Sequence, residues 1–197
     1  LVGSEMCIRD SYKTTADQFN NTEHAANLFG LKEFGNIYSR LGNPTVGALE
    51  ARLTALEEGA MCVALSSGTS AVMYSLINIM SQGDNFVTAN QLYGGTYTMF
   101  DNILPEYGID SKKVDITDLA AVENAIDDKT RAIYCETITN PGLVVADISA
   151  LSEIAHSKGI PLIVDATFTT SAILKPFEYG ADIVVYSLTC LLYTSDA

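Results

Sequence analysis

From about residue 45 onward two hydrophobic periods take turns along the chain, and few folds accept that pattern. "TVGALEARLTALEEG" sets Leu49, Leu53 and Leu56 on one helical face and is stopped by Gly59. "AMCVAL" follows as a short buried strand, then a helix carrying Val72, Leu76 and Ile79. "NFVTA" is the next strand and "GTYTMFDNIL" the next helix. Thr117 is placed to cap a helix with Leu119, Val122 and Ile126 inward, and "RAIYCE" reads as a strand. Asp147 caps "ISALSEIAHSK", with Ile148, Leu151 and Ile154 inward and Gly159 as the stop. "PLIVD" and "DIVVY" are strands again. The strand runs are continuously apolar rather than alternating, so the sheet is expected to be covered on both faces. Strand–helix alternation at this spacing predicts an α/β fold with a mostly parallel, doubly wound sheet. Before residue 45 the chain is polar, Asn-rich and without a clear period, as in an extended arm ending in a loop.

A length of 197 residues fits one α/β unit or one and a fraction, and 48% hydrophobic residues suffice for a large core. The formal net charge of -13 disfavours nucleic acid as a partner, because phosphate binding needs a basic surface. No apolar run approaches the roughly 18 residues of a spanning helix, and the first residues lack a signal peptide's basic start and apolar centre. A cytoplasmic protein without a membrane partner is the expectation. Cys7, Cys62, Cys135 and Cys190 are scattered, with no CxxC pair and no histidines near them, so no metal site is expected. Cys62 and Cys135 read as small buried hydrophobes in a reducing compartment.

In such sheets ligands sit at the carboxyl ends of the strands, and four loops there are unusual. "SSGTSA" joins a strand to a helix through Gly68, with the N–H groups of Gly68 and Thr69 and the hydroxyls of Ser67 and Thr69 available to a phosphate. Alone it reads equally as a plain strand-to-helix turn. "LIVDATF" puts Asp165 at the end of a run with no other charge, where an unpaired carboxylate costs several kcal/mol by order of magnitude. It needs a cation or a donor. "CETITNPG" ends a strand with Glu136, Asn140 and Pro141, and "LYGGT" sets Tyr93 beside two glycines so that its ring can lie flat on a ligand. Taken singly, these two read better as a turn and a filler aromatic. Together the four supply a phosphate cradle, a stacking ring, a carboxylate for a ring N–H⁺ and an amide for a ring oxygen. That set describes pyridoxal 5'-phosphate.

The segments "NIYSRLGNPTVGALEARLTALEEG", "SSGTSA", "LYGGTY", "ETITNPG" and "PLIVDATF…GADIVVYSLT" resemble the cystathionine/methionine γ-lyase family of fold-type-I pyridoxal-phosphate enzymes. "TEHAANLFGLKEFGNIYSR" is most similar to the O-acetylhomoserine sulfhydrylase (aminocarboxypropyltransferase) branch. The resemblance runs from about Tyr12 to Thr189 and implies a fold-type-I large domain truncated before its C-terminal domain. It implies that Ser67, Gly68, Thr69, Ser187 and Thr189 surround the cofactor phosphate. Tyr93 would stack on the ring and Asp165 would meet its nitrogen, with Thr167 beside it. Asn140 would lie near the ring hydroxyl with Glu136 behind it. Tyr38 and Arg40 match a pair that reaches a neighbouring subunit's phosphate in a dimer or tetramer, a role suited to a bidentate guanidinium.

The implied reaction is a γ-replacement on an amino-acid substrate, in which O-acetylhomoserine and sulfide or a thiol give homocysteine or methionine and acetate. A γ-synthase or γ-lyase of the same family is the alternative. Two positions depart from the family pattern. Ala166 stands where many relatives have Asn, and Cys190 stands where the family has the lysine that tethers the cofactor. A thiol cannot replace that amine. A further expectation is therefore a module that holds cofactor or phosphate without chemistry; a dehydrogenase of the Rossmann type would need a G-x-G-x-x-G that "SSGTSA" does not supply. The expected organisation is a non-family leader over 1–11, an arm and first helix over 12–58, a partial cofactor-binding α/β domain over 59–189 and a non-family tail over 190–197.

Overall fold

A computed structural model describes residues 11–191; the expected leader up to residue 10 and the tail after residue 191 lie outside the described residues. The chain forms two compact units that divide between Ala64 and Leu65.

In the first unit the arm is not merely extended. Residues 15–17 run antiparallel to 37–39 through a bridge at Ala16 and Tyr38, with Ser39 N–H donating to Thr15 O at 2.8 Å and Asp17 N–H to Ile37 O at 3.1 Å. Between them lies α1 (Thr22–Phe29), which the polar sequence does not announce. Its start is set by Asn21, whose side chain accepts the His24 N–H at 2.8 Å, and Leu28 is its buried anchor. Helix α2 (Pro44–Glu57) begins as its sequence dictates, with Asn43 as cap and Pro44 in the first turn, where a missing N–H costs nothing. At its other end the left-handed residue is Glu58 (φ 55°) rather than Gly59. Two of the three leucines of its apolar face are open: Leu49 and Leu56 are 42% and 43% exposed, while Leu53 is half-buried.

The expected strand "AMCVAL" does not form. Residues 60–65 pair with no strand, and Met61 and Val63 are 76% and 65% exposed. An apolar, β-branched run makes a segment competent to pair, but only a neighbouring ladder makes it a strand. Among the described residues no ladder receives it. Cys62 is accordingly half-buried, whereas Cys135 is fully buried with its thiol pushed up to about 12, chiefly by burial.

The second unit contains the sheet. Five strands, β1 (Asn85–Ala89), β2 (Asp110–Val114), β3 (Thr130–Glu136), β4 (Leu162–Asp165) and β5 (Ile183–Val185), are all parallel in the order β2-β1-β3-β4-β5. Chain direction across the sheet reverses between β1 and β3, which makes that crevice the switch point where such folds bind ligands. Helices α3 (Gly68–Ile77), α4 (Gly94–Thr98), α5 (Leu119–Ala125) and α6 (Ile148–Ser157) connect or flank the strands. Two short helices, α7 (Thr170–Ile173) and α8 (Leu188–Leu191), follow β4 and β5. Val72, Leu76, Val122, Leu151 and Ala155 come from these helices to a core in which Phe86, Val87, Ile133, Leu162 and Ile163 are wholly buried. Each such aliphatic side chain contributes about 1.5–3 kcal/mol. After α4 the helix loosens to a π turn over Met99–Ile103 and tightens to a 3-10 turn over Leu104–Tyr107. This change of pitch accompanies a stack of rings in which Phe100 meets Phe86 at 4.7 Å and Tyr134 at 5.1 Å, both edge-on.

Three local expectations change. The cap of α5 is Asp118, which accepts the Ala121 N–H at 3.0 Å; Thr117 instead closes a turn with Asp115. Ile79 lies just beyond α3, and β2 was not expected at all because "DSKKV" is an edge strand whose lysines keep that edge polar. By contrast Asp147 caps α6 through the Ala150 N–H at 3.1 Å, and Gly159 follows it at φ 70°. On α6, Ser152, His156 and Asp182 are hydrogen-bonded in line, but the serine is 4% exposed and donates its hydroxyl to Gly180 O at 2.8 Å. Asp182 also accepts the Leu162 N–H at 2.8 Å, so the trio braces α6 against the sheet and offers no free nucleophile.

Candidate functional site

The carboxyl ends of β1, β3, β4 and β5 each deliver part of one site, and the start of α3 joins them. Gly68 and Ser187 are far apart in sequence yet pressed together. A Cβ added to Gly68 would stand 2.6 Å from Ser187 Cβ and 2.9 Å from its Cα. Glycine is required because the Ser187 main chain occupies the space a side chain would take. Ser67 caps α3 by accepting the Ser70 N–H at 3.1 Å, with its hydroxyl 2.9 Å from that of Ser70. The ten-residue α3 therefore presents its first N–H groups, those of Gly68 and Thr69, beside the Ser187 hydroxyl.

Thr167 bridges this corner to the next. Its hydroxyl accepts the Ser187 N–H at 2.8 Å, and its own N–H donates to Asp165 Oδ1 at 2.9 Å. Asp165 Oδ2 faces the Tyr134 hydroxyl at 3.4 Å, and the buried Tyr134 is also hydrogen-bonded to Thr96 of α4. No lysine, arginine or histidine pairs with Asp165 among the described residues. Burial accordingly raises its pKa, against the downward pull of Thr167 and Tyr134. Ala166 is fully buried and its N–H donates to Val185 O at 3.0 Å.

Across the switch point stand Tyr93 and Asn140. Tyr93 opens α4 with its ring over Gly95, where an added Cβ would come 2.7 Å from the ring. The ring is 53% exposed and free to face a ligand. Asn140 sits at the tip of a loop after β3, before a cis peptide to Pro141. That loop is closed by Thr139 N–H to Val144 O at 2.9 Å and Ala146 N–H to Thr137 O at 3.1 Å. Glu136, 5% exposed, accepts the Tyr93 N–H at 2.7 Å and the Asn140 N–H at 3.0 Å. Burial pushes its carboxyl up to about 7 although both N–H groups pull it down; the Asp165 charge adds to the rise.

Thr189 and Cys190 are exposed on α8, with the Cys190 N–H donating to Ser187 O at 3.1 Å. Tyr38 and Arg40 belong to the first unit; both are exposed, and the guanidinium lies over the Tyr38 ring at 5.6 Å from its centroid. The second unit thus brings Gly68, Thr167 and Ser187 together at one corner with Asp165, and Tyr93, Glu136 and Asn140 at the other. Sequence reasoning missed Tyr134 and Thr96 behind Asp165. A tyrosine in an aliphatic strand is a signal that a buried hydroxyl needs a partner, but it does not say which one.

A sequence model described as Cys/Met metabolism PLP-dependent enzyme matches residues 5–193. The chain belongs to this family. An O-acetyl-L-homoserine sulfhydrylase of Leptospira meyeri is 48% identical over 181 residues, which is 92% of this chain and 41% of that protein. A solved structure described as an O-acetylhomoserine (thiol)-lyase from Campylobacter jejuni, which carries a pyridoxyl-lysine phosphate, superposes with a TM-score of 0.88 at 43% identity. It is covered to 44%, and this chain to 91%. A cystathionine gamma-lyase of Lactobacillus plantarum complexed with L-serine superposes at 0.82 with 36% identity, over 91% of this chain and 45% of that one. The chain therefore spans about two fifths of the curated relative's length, and as a family member its cofactor is pyridoxal phosphate. Among the described residues no helix is long and apolar enough to cross a membrane.

Proposed function

We propose that this chain is the cofactor-holding part of a γ-replacement enzyme of sulfur amino-acid metabolism, acting on O-acetylhomoserine with sulfide or a thiol. The observation that carries the cofactor half of this reading is Asp165, a half-buried carboxylate without a cation among the described residues, beside a glycine–serine corner shaped for an anion. The residues present fit pyridoxal phosphate. Gly68 and Thr69 N–H groups with the Ser67, Ser187 and Thr189 hydroxyls would hold its phosphate, Tyr93 would cover its ring and Asn140 would meet the ring hydroxyl. When bound, the group supplies an electron sink for carbanions of an amino-acid substrate.

The rest follows from the chain's own side chains. Asp165 would keep a proton on the ring nitrogen by charge, and Thr167 and Tyr134 hold that carboxylate in place. Tyr93 and the loop bearing Asn140 would flank the ring, with the Tyr93 side chain over one of its faces. Tyr38 and Arg40, exposed on the first unit, would complete the phosphate shell of a neighbouring subunit in a cytoplasmic dimer or tetramer. The choice of a sulfhydrylase over a γ-lyase rests on the 48% identity to the Leptospira protein against 36% to the lyase structure.

Cys190 favours a second reading of the chain as it stands, one that holds cofactor without turnover, since its thiol cannot tether the cofactor as an amine does. The test is to add pyridoxal phosphate to the full chain, reduce with borohydride and map any adduct. The expected result is reversible, non-covalent binding that Asp165→Ala weakens. Native-like covalent attachment to another lysine would overturn the reading.

A further inference from the structure

Glu136 ends β3 at the switch point, and both oxygens of its carboxylate are engaged by the main chain. One accepts the N–H of Tyr93, in the loop between β1 and α4, at 2.7 Å; the other accepts the N–H of Asn140, in the loop after β3, at 3.0 Å. Neither bond is local secondary structure, and no lysine, arginine or histidine pairs with the carboxylate among the described residues. The same two loops touch once more, where the Gln91 amide oxygen fills the space a Cβ on Gly142 would need.

We propose that Glu136 is a positioning residue, not a contact of the cofactor: it fixes the main chain of Tyr93 and Asn140 at once and so sets the stacking ring and the amide at opposite parts of one planar ligand. The identity of that ligand rests on the reading above. A carboxylate is the side chain this task needs. Both of its oxygens can accept, whether the group is ionised or protonated, whereas the isosteric amide turns an NH2 toward one of the two N–H groups. Aspartate is a carbon too short to span both. With alanine two N–H donors in a buried crevice lose their partner, the costly half of the hydrogen-bond asymmetry. Glu136 is in register with Asp165 of β4, so the two N–H groups that donate to it also offset repulsion between neighbouring acids.

The test uses the full chain and compares Glu136→Gln and Glu136→Asp with the parent by residue-resolved amide exchange, by equilibrium dialysis of pyridoxal phosphate and by the circular dichroism the bound ligand acquires. The expected result is exchange at least about tenfold faster at Tyr93 or Asn140 in the Gln variant and at both in the Asp variant. Amides of Val87 and Val164, inside β1 and β4, stay protected and show that the sheet persists. Ligand affinity falls about tenfold or more and the induced dichroism changes, because the ring is no longer held in one orientation. Unchanged exchange at both amides in both variants would overturn the proposal. So would faster exchange with parental affinity and dichroism, since the clasp would then position nothing. If the parent itself binds no pyridoxal phosphate while the exchange pattern appears, the clasp stands and the cofactor reading falls.

Discussion

Desolvation opposes a charge on Asp165 and raises its pKa, against the pull of its Thr167 and Tyr134 hydrogen bonds. A cation brought to it relieves the conflict, so a ligand carrying a ring N–H⁺ gains what the empty carboxylate lacks. Non-covalent pyridoxal phosphate binding should therefore weaken strongly in Asp165→Ala, by about tenfold or more. It should weaken by roughly 1–3 kcal/mol in Ser187→Ala, which loses a bond to a charged group, and least in Tyr93→Phe, which keeps the stacking face. Dialysis measures all three. Equal affinity in Asp165→Ala would remove that residue from the site. Glu136 gives a pH prediction with a definite sign. Its carboxyl stands at about 7 in the fold against an ordinary value of 4.5, so its contribution to stability is full below 4.5 and is lost as pH rises through about 7. Urea unfolding of the parent between pH 4.5 and 8 should show this decline, worth at most about 3 kcal/mol, and Glu136→Gln should flatten it. A parent curve that rises over that window would contradict the burial assigned to this acid. At this scale the sequence showed Asp165 as a lone charge after an apolar run and Gly68 as the hinge of a cradle. It did not show Tyr134, because a hydroxyl's partner on another strand has no fixed spacing.

Helices and strands obeyed their local signals where those signals were self-sufficient. Asp147, Asn43 with Pro44, and the runs "NFVTA", "RAIYCE" and "PLIVD" carry their own instructions, and each element forms where they place it. The elements misread are those whose state depends on something outside them. "AMCVAL" has strand composition without a described neighbour, "DSKKV" is a strand because β1 offers a free edge, and α1 needs only Asn21 and a buried Leu28 in a polar stretch. The cap of α5 separates two adjacent candidates and can be tested directly. Asp118→Ala should cost about 1 kcal/mol, the usual loss at a cap, while Thr117→Ala should cost a few tenths. Equal losses in urea unfolding would restore the sequence expectation. The ring stack tests the π turn in the same way: Phe100→Ala removes a wholly buried ring that touches two others and should cost about 3–5 kcal/mol.

At the scale of the whole chain the dominant quantity is a net charge of -13. Surface ion pairs such as Lys112–Asp127 at 2.7 Å and Lys158–Glu123 at 3.0 Å contribute little and are weakened by salt. Repulsion among the excess carboxylates is weakened by the same salt, and there are far more of them than there are cations to pair with. Repulsion therefore decides the sign: raising sodium chloride from a low level to about 0.15 M, where the screening length is about 8 Å, should raise the urea midpoint. A falling midpoint would mean that the pairs outweigh the net charge.

The pressing of Gly68 against Ser187 also fixes an order of events. The two residues are separated by on the order of a hundred others, so the corner that would grip a phosphate has no local precursor. On a ribosome, α3 emerges with half a cradle long before β5 supplies the other half. Capture of a phosphate at this corner then has to wait for synthesis to reach β5, and is open only to a chain that has already threaded that strand into the sheet.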